Sequence, residues 1–205
     1  MGVAAYKIHR KFTWADYQKW PDDERWEIIG GEAYAMSPAP LTRHQSIQAS
    51  LLALMFLRFR KSSCQVFGAP TDVKLSEEDI VQPDVLVVCD EKQIMRTHIE
   101  GPPKLVVEII SESSTINDRL RKSRLYAGAG VQEYWIVTPF PSMIEVFTLD
   151  GESYRLLHVF KKEDTLVSPA FPKLKIRLKD VFTFSPEPGE RQLVIREPRP
   201  RFGKK

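Results

Sequence analysis

The chain has 205 residues, of which 42% are hydrophobic and 28% are charged, and its formal net charge at pH 7 is +3. This length and composition are typical of one globular domain with a proper core. No apolar run approaches the roughly 20 residues that a transmembrane helix needs, and the N-terminal segment lacks the apolar stretch of a secretory signal. We therefore expect a cytoplasmic protein without a membrane partner. A net charge of +3 does not by itself indicate a nucleic-acid partner.

Two helices and a hairpin are predicted in the first third of the chain. Residues 13–20 form a short helix with Thr13 as its N-cap, and residues 25–36 form a β-hairpin around a Gly-Gly turn. Residues 42–61 show the longest helical pattern, with apolar residues at helical spacing that predict a central packing helix.

Strands dominate the middle of the chain. A third helix, from Ser113 or Ser114 to Ala129, interrupts them. Two serines offer its N-cap and two glycines offer its stop. Residues 90–103 are predicted to be a loop. Strands are predicted at residues 64–67, 71–75, 84–89, 105–110 and 133–138.

The C-terminal part is predicted to contain a second hairpin, in which Asp150-Gly151 joins residues 144–149 to residues 153–160. Short closing elements follow at 171–176 and 181–184. The order of elements predicts an α/β (α+β-like) core, a mixed β-sheet flanked by helices with terminal hairpins. We expect a single domain over residues 1–185 and a flexible tail rich in proline and basic residues over 186–205.

Cys64 and Cys89 are the only cysteines, far apart in sequence and without a Cys-x-x-Cys pattern. We interpret them as buried free thiols in a reducing cytoplasm.

Two lone carboxylates interrupt strands that are otherwise apolar. Asp84 begins Asp-Val-Leu-Val-Val, and Glu108 lies within Leu-Val-Val-Glu-Ile-Ile. An ionised carboxylate in such a strand is costly unless a cation, a lysine or water compensates it. If the two strands pair in a suitable register, both carboxylates project side by side, and a divalent cation with oxygen ligands would remove their repulsion. Such an ion would serve phosphodiester hydrolysis.

A lysine close to these acids is expected on the third helix. Asp118, Lys122 and Tyr126 follow one another at i, i+4 and i+8 and share one helical face. Lys122 could reach back to Glu108 and there hold or deprotonate water, or stabilise charge on a phosphate. The alternative is an exposed lysine that pairs with Asp118.

Basic residues surround the same helix. Arg119, Arg121 and Arg124 join Lys122 there, and further basic residues enrich the tail. Either group could neutralise phosphates, and a solvated helix face is the alternative interpretation.

These residues form an ordered series that resembles the Uma-type family of predicted restriction endonucleases, within the PD-(D/E)XK nuclease superfamily. The similarity covers about residues 10–185. The matching segments are Arg-Trp-Glu-Ile-Ile-Gly-Gly-Glu at 25–32, Ser37-Pro38, His44-Gln45, Gln82-Pro83-Asp84, Leu-Val-Val-Glu-Ile-Ile-Ser at 105–111, Asp118-x-x-x-Lys122 and residues 126–137.

The resemblance implies a site for Mg²⁺, with Mn²⁺ as a possible substitute. Asp84 and Glu108 would bind the metal, and the main-chain carbonyl of Ile109 would be a further ligand. Ile110 occupies the position where the superfamily pattern has lysine, so Lys122 would supply the amine from the following helix. As the first long helix carries no acid, the accessory group would be Glu27, or His44 and Gln48.

The resemblance also implies partners. The substrate would be DNA, contacted by Arg119, Arg121 and Arg124, and the protein would act as a homodimer without an organic cofactor. The exposed edges of the C-terminal hairpin are one place to look for the dimer surface. Two alternatives remain open from the sequence: a nucleic-acid-binding module of the same fold that has lost cleavage, which Ile110 favours, and an assembly scaffold that pairs through its hairpins.

Overall fold

A computed structural model of the chain describes residues 10–21, 24–36, 41–110 and 116–184, with the side chains of the last range from residue 119 onwards. Its helices are α1 (Trp14–Tyr17), α2 (Thr42–Phe59) and α3 (Ile116–Ala129). Its strands are β1 (Trp26–Ile29), β2 (Glu32–Ala35), β3 (Gln65–Gly68), β4 (Val73–Ser76), β5 (Asp79–Val81), β6 (Val85–Val88), β7 (Ile99–Glu100), β8 (Leu105–Ile109), β9 (Glu133–Thr138), β10 (Met143–Asp150), β11 (Ser153–Lys161), β12 (Thr165–Val167) and β13 (Lys175–Arg177).

The central layer is a six-stranded mixed sheet in the order β11, β10, β9, β8, β6, β3. Only β8 and β9 run parallel, and α3 is the connection between them. The other neighbouring pairs are antiparallel. The predicted mixed sheet flanked by helices is confirmed.

Helix α2 covers one face of this sheet because its apolar residues recur every four positions. Ile47, Leu51, Met55 and Phe59 are all buried. They share a core cluster with alternate residues of β6 and β8, namely Val85, Val87, Leu105 and Val107. The prediction of a central packing helix is confirmed, although α2 ends at Phe59 and not at residue 61.

Helix α3 covers the opposite face. Tyr126 of α3 is buried with Leu86, Val88 and Val106, which are the other alternate residues of β6 and β8, and with Tyr134 of β9. Strands β6 and β8 are therefore buried on both faces, as their continuous apolar runs predict. In β8, only Glu108 departs from full burial.

A second sheet, in the order β2, β1, β5, β4, β7, carries the N-terminal hairpin. Ile29 pairs with Glu32 across a two-residue turn in which Gly30 and Gly31 have φ of 60° and 80°. Positive φ at both turn positions is the requirement of a type I′ turn, which glycine meets without strain. The predicted hairpin is confirmed, and Ile28 of β1 joins it to Ile80 of β5.

The short elements differ from the sequence prediction. Strand β5 was not predicted, and residues 90–103, predicted to be a loop, contain a 3₁₀ turn at Glu91–Gln93 and strand β7. Near the C-terminus, β12 pairs with β13, and a 3₁₀ turn follows at Leu178–Asp180. Strands of two or three residues exist because a neighbouring strand pairs with them, so they leave no periodicity in the sequence.

The cysteine prediction is wrong, because Cys64 and Cys89 form a disulfide. Gln65 of β3 pairs with Val88 of β6, and this register places the two cysteines opposite each other just beyond the paired residues. Their Cα atoms lie 3.9 Å apart despite a separation of 25 residues in sequence. Antiparallel pairing, which was not predicted for these two strands, brings them together.

In the described part of the chain, no helix is long and apolar enough to cross a membrane. The predicted tail and the predicted helix caps Ser113 and Ser114 lie outside the described residues, as do Ser37 and Pro38. The single domain over residues 1–185 stays a prediction.

Candidate active site

The pairing of β6 with β8 determines where the two lone carboxylates lie. The register joins Val85 to Val107 and Leu86 to Val106. One step further along both chains, Asp84 stands opposite Glu108. Since residues directly opposite in an antiparallel pair have Cβ atoms about 4.5–5.5 Å apart, this register brings the two carboxyl groups near each other, and the charge of Asp84 acts on Glu108.

Asp84 is oriented by main-chain and α2 groups. Its Oδ2 accepts a hydrogen bond from the Ile109 N–H at 2.7 Å and lies 3.2 Å from Nε2 of His44. Gln48, one turn further along α2, donates from Nε2 to the main-chain oxygen of Asp84 at 2.9 Å. Both accessory residues predicted on this helix therefore contact Asp84.

Glu108 is held by α3. Lys122 Nζ donates to Glu108 Oε1 at 3.1 Å and to Glu27 Oε1 of β1 at 2.9 Å. The Tyr126 hydroxyl donates to the same oxygen of Glu108 at 2.6 Å. Lys122 is not the exposed helix lysine of the alternative interpretation, because only 12% of its side chain is exposed and two buried carboxylates share it. The side chain of Asp118 lies outside the described residues.

Burial and neighbouring charges determine the pKa values of the groups in the site. Burial raises the pKa of Glu108 to about 7, and the charges of Asp84 and Glu27 act in the same direction, while Lys122 and the Tyr126 hydroxyl oppose them. Burial lowers the pKa of Lys122, but the carboxylates of Glu108 and Glu27 outweigh it and raise that pKa well above its usual value. Lys122 is therefore a charged donor in this arrangement.

Burial and nearby carboxylates also determine the pKa of His44, at the other end of the site. Burial lowers its pKa, but the hydrogen bond to Asp84 and the charges of Asp84 and Glu108 outweigh burial, so the pKa of His44 is raised. Its Nδ1 is buried and has no hydrogen-bond partner among the described residues.

The donor set fits a hard divalent cation. Three carboxyl groups, those of Asp84, Glu27 and Glu108, converge here on the single amine of Lys122 and the imidazole of His44. Among the described residues, no group of three or more histidine, cysteine, aspartate or glutamate side chains is arranged to hold a metal ion. A cation here would be bound by the oxygens of Asp84 and Glu108 and completed by main-chain oxygen and water, which is ligation of the kind that Mg²⁺ accepts.

Ile110, at the position where the superfamily pattern has lysine, has a structural role. It packs against the core beneath α3, and its N–H donates to the Val137 carbonyl at 2.9 Å. The amine of the site comes from α3.

The three predicted DNA-binding arginines lie in different surroundings. Arg119 pairs with Glu145 at 2.6 Å, and Arg124 is exposed. Arg121 stacks on the ring of Tyr34, with the guanidinium carbon 4.1 Å from the ring centroid. Tyr34 is the cross-strand partner of Glu27, so Arg121 is the arginine that contacts the strand pair carrying part of the site.

The sequence interpretation missed two contributors. Tyr126 was placed on the face of Lys122, but its hydrogen bond to Glu108 was not foreseen. Gln82 was quoted only as part of a motif, yet its N–H donates to Glu27 Oε1 at 3.1 Å. The i+4 spacing from Lys122 could have indicated Tyr126, whereas no sequence signal indicates the contact of Gln82 with Glu27.

A mixed sheet between helices, with facing carboxylates and a lysine at its centre, defines a protein of the restriction-endonuclease-like fold. A family model described as "Putative restriction endonuclease" matches residues 14–179, and the chain belongs to this family, Uma2. The resemblance inferred from the sequence is confirmed.

Two similar proteins come from cyanobacterial sources. "Uncharacterized protein slr1290" of Synechocystis sp. is 26% identical over 160 residues, which are 76% of this chain and 84% of that protein. A crystal structure described as a "putative nuclease belonging to DUF820" from Anabaena variabilis superposes with a TM-score of 0.70 at 18% identity, covering 84% of this chain and 98% of that one. At this identity the second similarity shows the fold alone.

The raised pKa of Glu108 predicts that this acid destabilises the fold when no metal is present. Stability contributed by a group whose pKa is raised is fully present below its unfolded value and is lost as the pH rises through about 7. In EDTA, Glu108→Gln should therefore be more stable than wild type by about 1–3 kcal/mol at pH 8, and the gain should shrink as the pH falls and disappear near pH 4. Urea denaturation at pH 8 and at pH 4 measures this difference in the free energy of unfolding.

Glu91→Gln is the matched control, because Glu91 is exposed and lies near the other end of β6 from Asp84. A Glu108→Gln protein that is less stable than wild type at pH 8 would contradict the electrostatic account of the site.

Proposed function

We propose that the protein is a Mg²⁺-dependent endonuclease that hydrolyses phosphodiester bonds of DNA. One observation carries this proposal: Asp84 and Glu108 face each other across β6 and β8, and the Lys122 ammonium lies against Glu108. Membership of the Uma2 family supports nuclease activity. The dependence on Mg²⁺, the preference for DNA and the role of each residue belong to the proposal.

Asp84 and Glu108 would hold the metal ion, with the Ile109 carbonyl as a further ligand. When bound, a divalent cation polarises the phosphate and lowers the pKa of a bound water. The Ile109 N–H and His44 orient the Asp84 carboxylate, and Tyr126 orients that of Glu108. Because these supporting groups come from β8, α2 and α3, the acids stay in place before substrate arrives.

Lys122 would position the attacking water or stabilise the charge of the phosphate. Two carboxylates hold its ammonium as a charged hydrogen-bond donor, so it is suited to electrostatic stabilisation and not to removal of a proton. Glu27 accepts a second hydrogen bond from this ammonium and so helps to fix its orientation. The first turn of α2 contributes no acid to the site, and Glu27 on β1 supplies one instead.

Arg121 would contact the substrate phosphates. Its guanidinium lies over the ring of Tyr34, which is paired with Glu27 across β1 and β2. Arg119 pairs with Glu145. We propose Arg121 as the principal phosphate contact of the three arginines, because it is the one that contacts the strand pair carrying Glu27.

A second copy would bind at β11. This strand forms an edge of the central sheet, and Leu156, Leu157 and Val159 expose apolar side chains there. The register shift at Val146/Phe147 leaves Leu157 without a partner on β10. Because such a bulge interrupts the hydrogen-bonding edge, the proposed dimer contact is made mainly by side chains.

The cytoplasmic location remains a prediction. The Cys64–Cys89 disulfide does not favour it, since such bridges are rare in that compartment.

Wild type should nick supercoiled plasmid in Mg²⁺, with Mn²⁺ as a substitute, and should stop in EDTA. Asp84→Asn and Glu108→Gln should each lower the rate by at least about 100-fold, because each removes a metal ligand. Single-turnover nicking measures it, with Glu91→Gln as the control. Variants that cut as fast as wild type would refute the assignment. A wild-type protein that binds DNA but does not cut it with any divalent ion would favour the binding-module alternative.

Arg121→Ala should weaken DNA binding uniformly across sequences and reduce the slope of log affinity against log salt by about 1. Tyr34→Leu should weaken binding in the same direction by roughly 2- to 5-fold, because it removes the ring beneath the guanidinium. Fluorescence anisotropy in a Glu108→Gln background measures both without cleavage. Arg177→Ala is the control, since Arg177 is exposed and pairs with Asp180; equal losses in Arg177→Ala and Arg121→Ala would contradict the assignment.

Light scattering at micromolar concentration should give the mass of a dimer for wild type and of a monomer for Leu157→Lys, because a charge on the edge strand opposes its burial. Leu57→Lys is the matched control for Leu157→Lys, because Leu57 is also an exposed leucine but lies on α2. A monomeric wild type, or dissociation by both variants, would exclude β11 as the dimer surface.

A further inference from the structure

Gln82, two residues before Asp84, is a buried polar residue that the proposed chemistry does not use. Only 7% of it is exposed. We infer that Gln82 is a positioning residue that fixes Glu27, and through Glu27 the ammonium of Lys122. The inference rests on the proposed function for its catalytic consequence, but its structural part can be tested without catalysis.

The side-chain amide of Gln82 is fully hydrogen-bonded. Its Oε1 accepts from Arg25 Nε at 3.0 Å and from Arg25 Nη2 at 2.8 Å. Its Nε2 donates to Asp72 Oδ1 at 2.9 Å and to the Tyr17 hydroxyl at 3.2 Å. Tyr17 in turn donates to Asp72 Oδ1 at 2.8 Å. An amide accepts at one end and donates at the other, so the arginine and the aspartate determine a single orientation.

The main chain of the same residue contacts the site. The Gln82 N–H donates to Glu27 Oε1 at 3.1 Å, and this oxygen also accepts from Lys122 Nζ at 2.9 Å. Glu27 is buried, so its carboxylate depends on these donors for compensation. A chain of contacts therefore runs from the Gln82 amide to Glu27, to Lys122 and to Glu108.

The partners of Gln82 come from separate parts of the chain. Tyr17 belongs to α1, Arg25 immediately precedes β1, and Asp72 immediately precedes β4. Gln82 thereby ties the second sheet to the short segment that leads through Pro83 to Asp84 of the central sheet. Buried polar groups that are all paired favour one arrangement, whereas removal of one member leaves the others unsatisfied.

A positioning role has a distinct kinetic consequence. The side-chain hydrogen bonds of Gln82 described above go to Arg25, Asp72 and Tyr17 and not to Asp84, Glu108 or Arg121, so loss of the amide should not weaken substrate binding directly. It should instead displace Glu27 and allow Lys122 to move away from its productive position, which lowers kcat.

The first experiment compares Gln82→Met with Gln93→Met. Methionine keeps the length of the side chain but removes the amide, and Gln93 is a glutamine whose amide bonds the carbonyls of Glu100 and Pro102 away from the site. Gln82→Met should lower kcat by about 10- to 100-fold with KM within about 2-fold, and Gln93→Met should change neither. An unchanged kcat in folded Gln82→Met, or a loss confined to KM, would overturn the inference.

A rescue separates positioning from general loss of stability. Gln82→Glu alone sets a carboxylate against Asp72 and should reduce kcat as Gln82→Met does. The double variant Gln82→Glu/Asp72→Asn restores a donor opposite an acceptor, with Arg25 still bound at the other end, and should recover most of kcat. A double variant that is as stable as wild type but no faster than Gln82→Glu would overturn the inference.

Amide exchange tests the contact independently of nuclease activity. The residue-82 amide should be protected in wild type and should exchange at least about 10-fold faster in Glu27→Ala and in Gln82→Met, while the Ile110 amide, bonded to Val137, should not change. If wild type cuts no DNA, the proposed function fails and this measurement still decides the positioning contact. An unprotected residue-82 amide in wild type, or one indifferent to Glu27→Ala, would refute it.

Discussion

The antiparallel pairing of β6 with β8 places two carboxylates opposite one another where every neighbouring strand residue is buried and apolar. Mutual repulsion and burial both penalise this arrangement, which is why the pKa of Glu108 rises to about 7. The surrounding structure supplies compensation for each acid. The Ile109 N–H and His44 stabilise Asp84, and Lys122 and Tyr126 stabilise Glu108.

This compensation is incomplete, and its incompleteness has a functional meaning. The Lys122 ammonium is shared between Glu108 and Glu27, so one positive charge faces more than one negative charge in a buried setting. A site that is fully neutralised by its own side chains would have little affinity for a cation. The remaining negative charge is what the proposed divalent ion would offset, and it comes at some cost in stability.

The position of Lys122 also explains how an amine reaches Glu108 although residue 110 is an isoleucine. Ile110 contributes to the core under α3, and α3 carries the amine back over that core to Glu108. The lysine is then supported by a third acid from a different sheet. Such an arrangement makes the geometry depend on the relative position of two sheets, and the hydrogen bonds of Gln82 are the contacts that join them at this point.

Features that depend on local pattern could be predicted from the sequence. The two-residue period of β6 and β8 puts each acid on a defined face, the Gly-Gly pair defines the N-terminal hairpin, and the helical period of α3 puts Lys122 and Tyr126 on one face. Which distant groups meet depends on the tertiary structure. Lys122 and Glu27 are 95 residues apart, and the cysteines meet only because β3 pairs with β6. The partners of Gln82 and the short strands β5 and β7 likewise depend on contacts between segments that are remote in sequence. Periodicity records which side of an element a residue occupies, but pairing between remote segments depends on the free energy of the whole packed chain, and no local pattern encodes it.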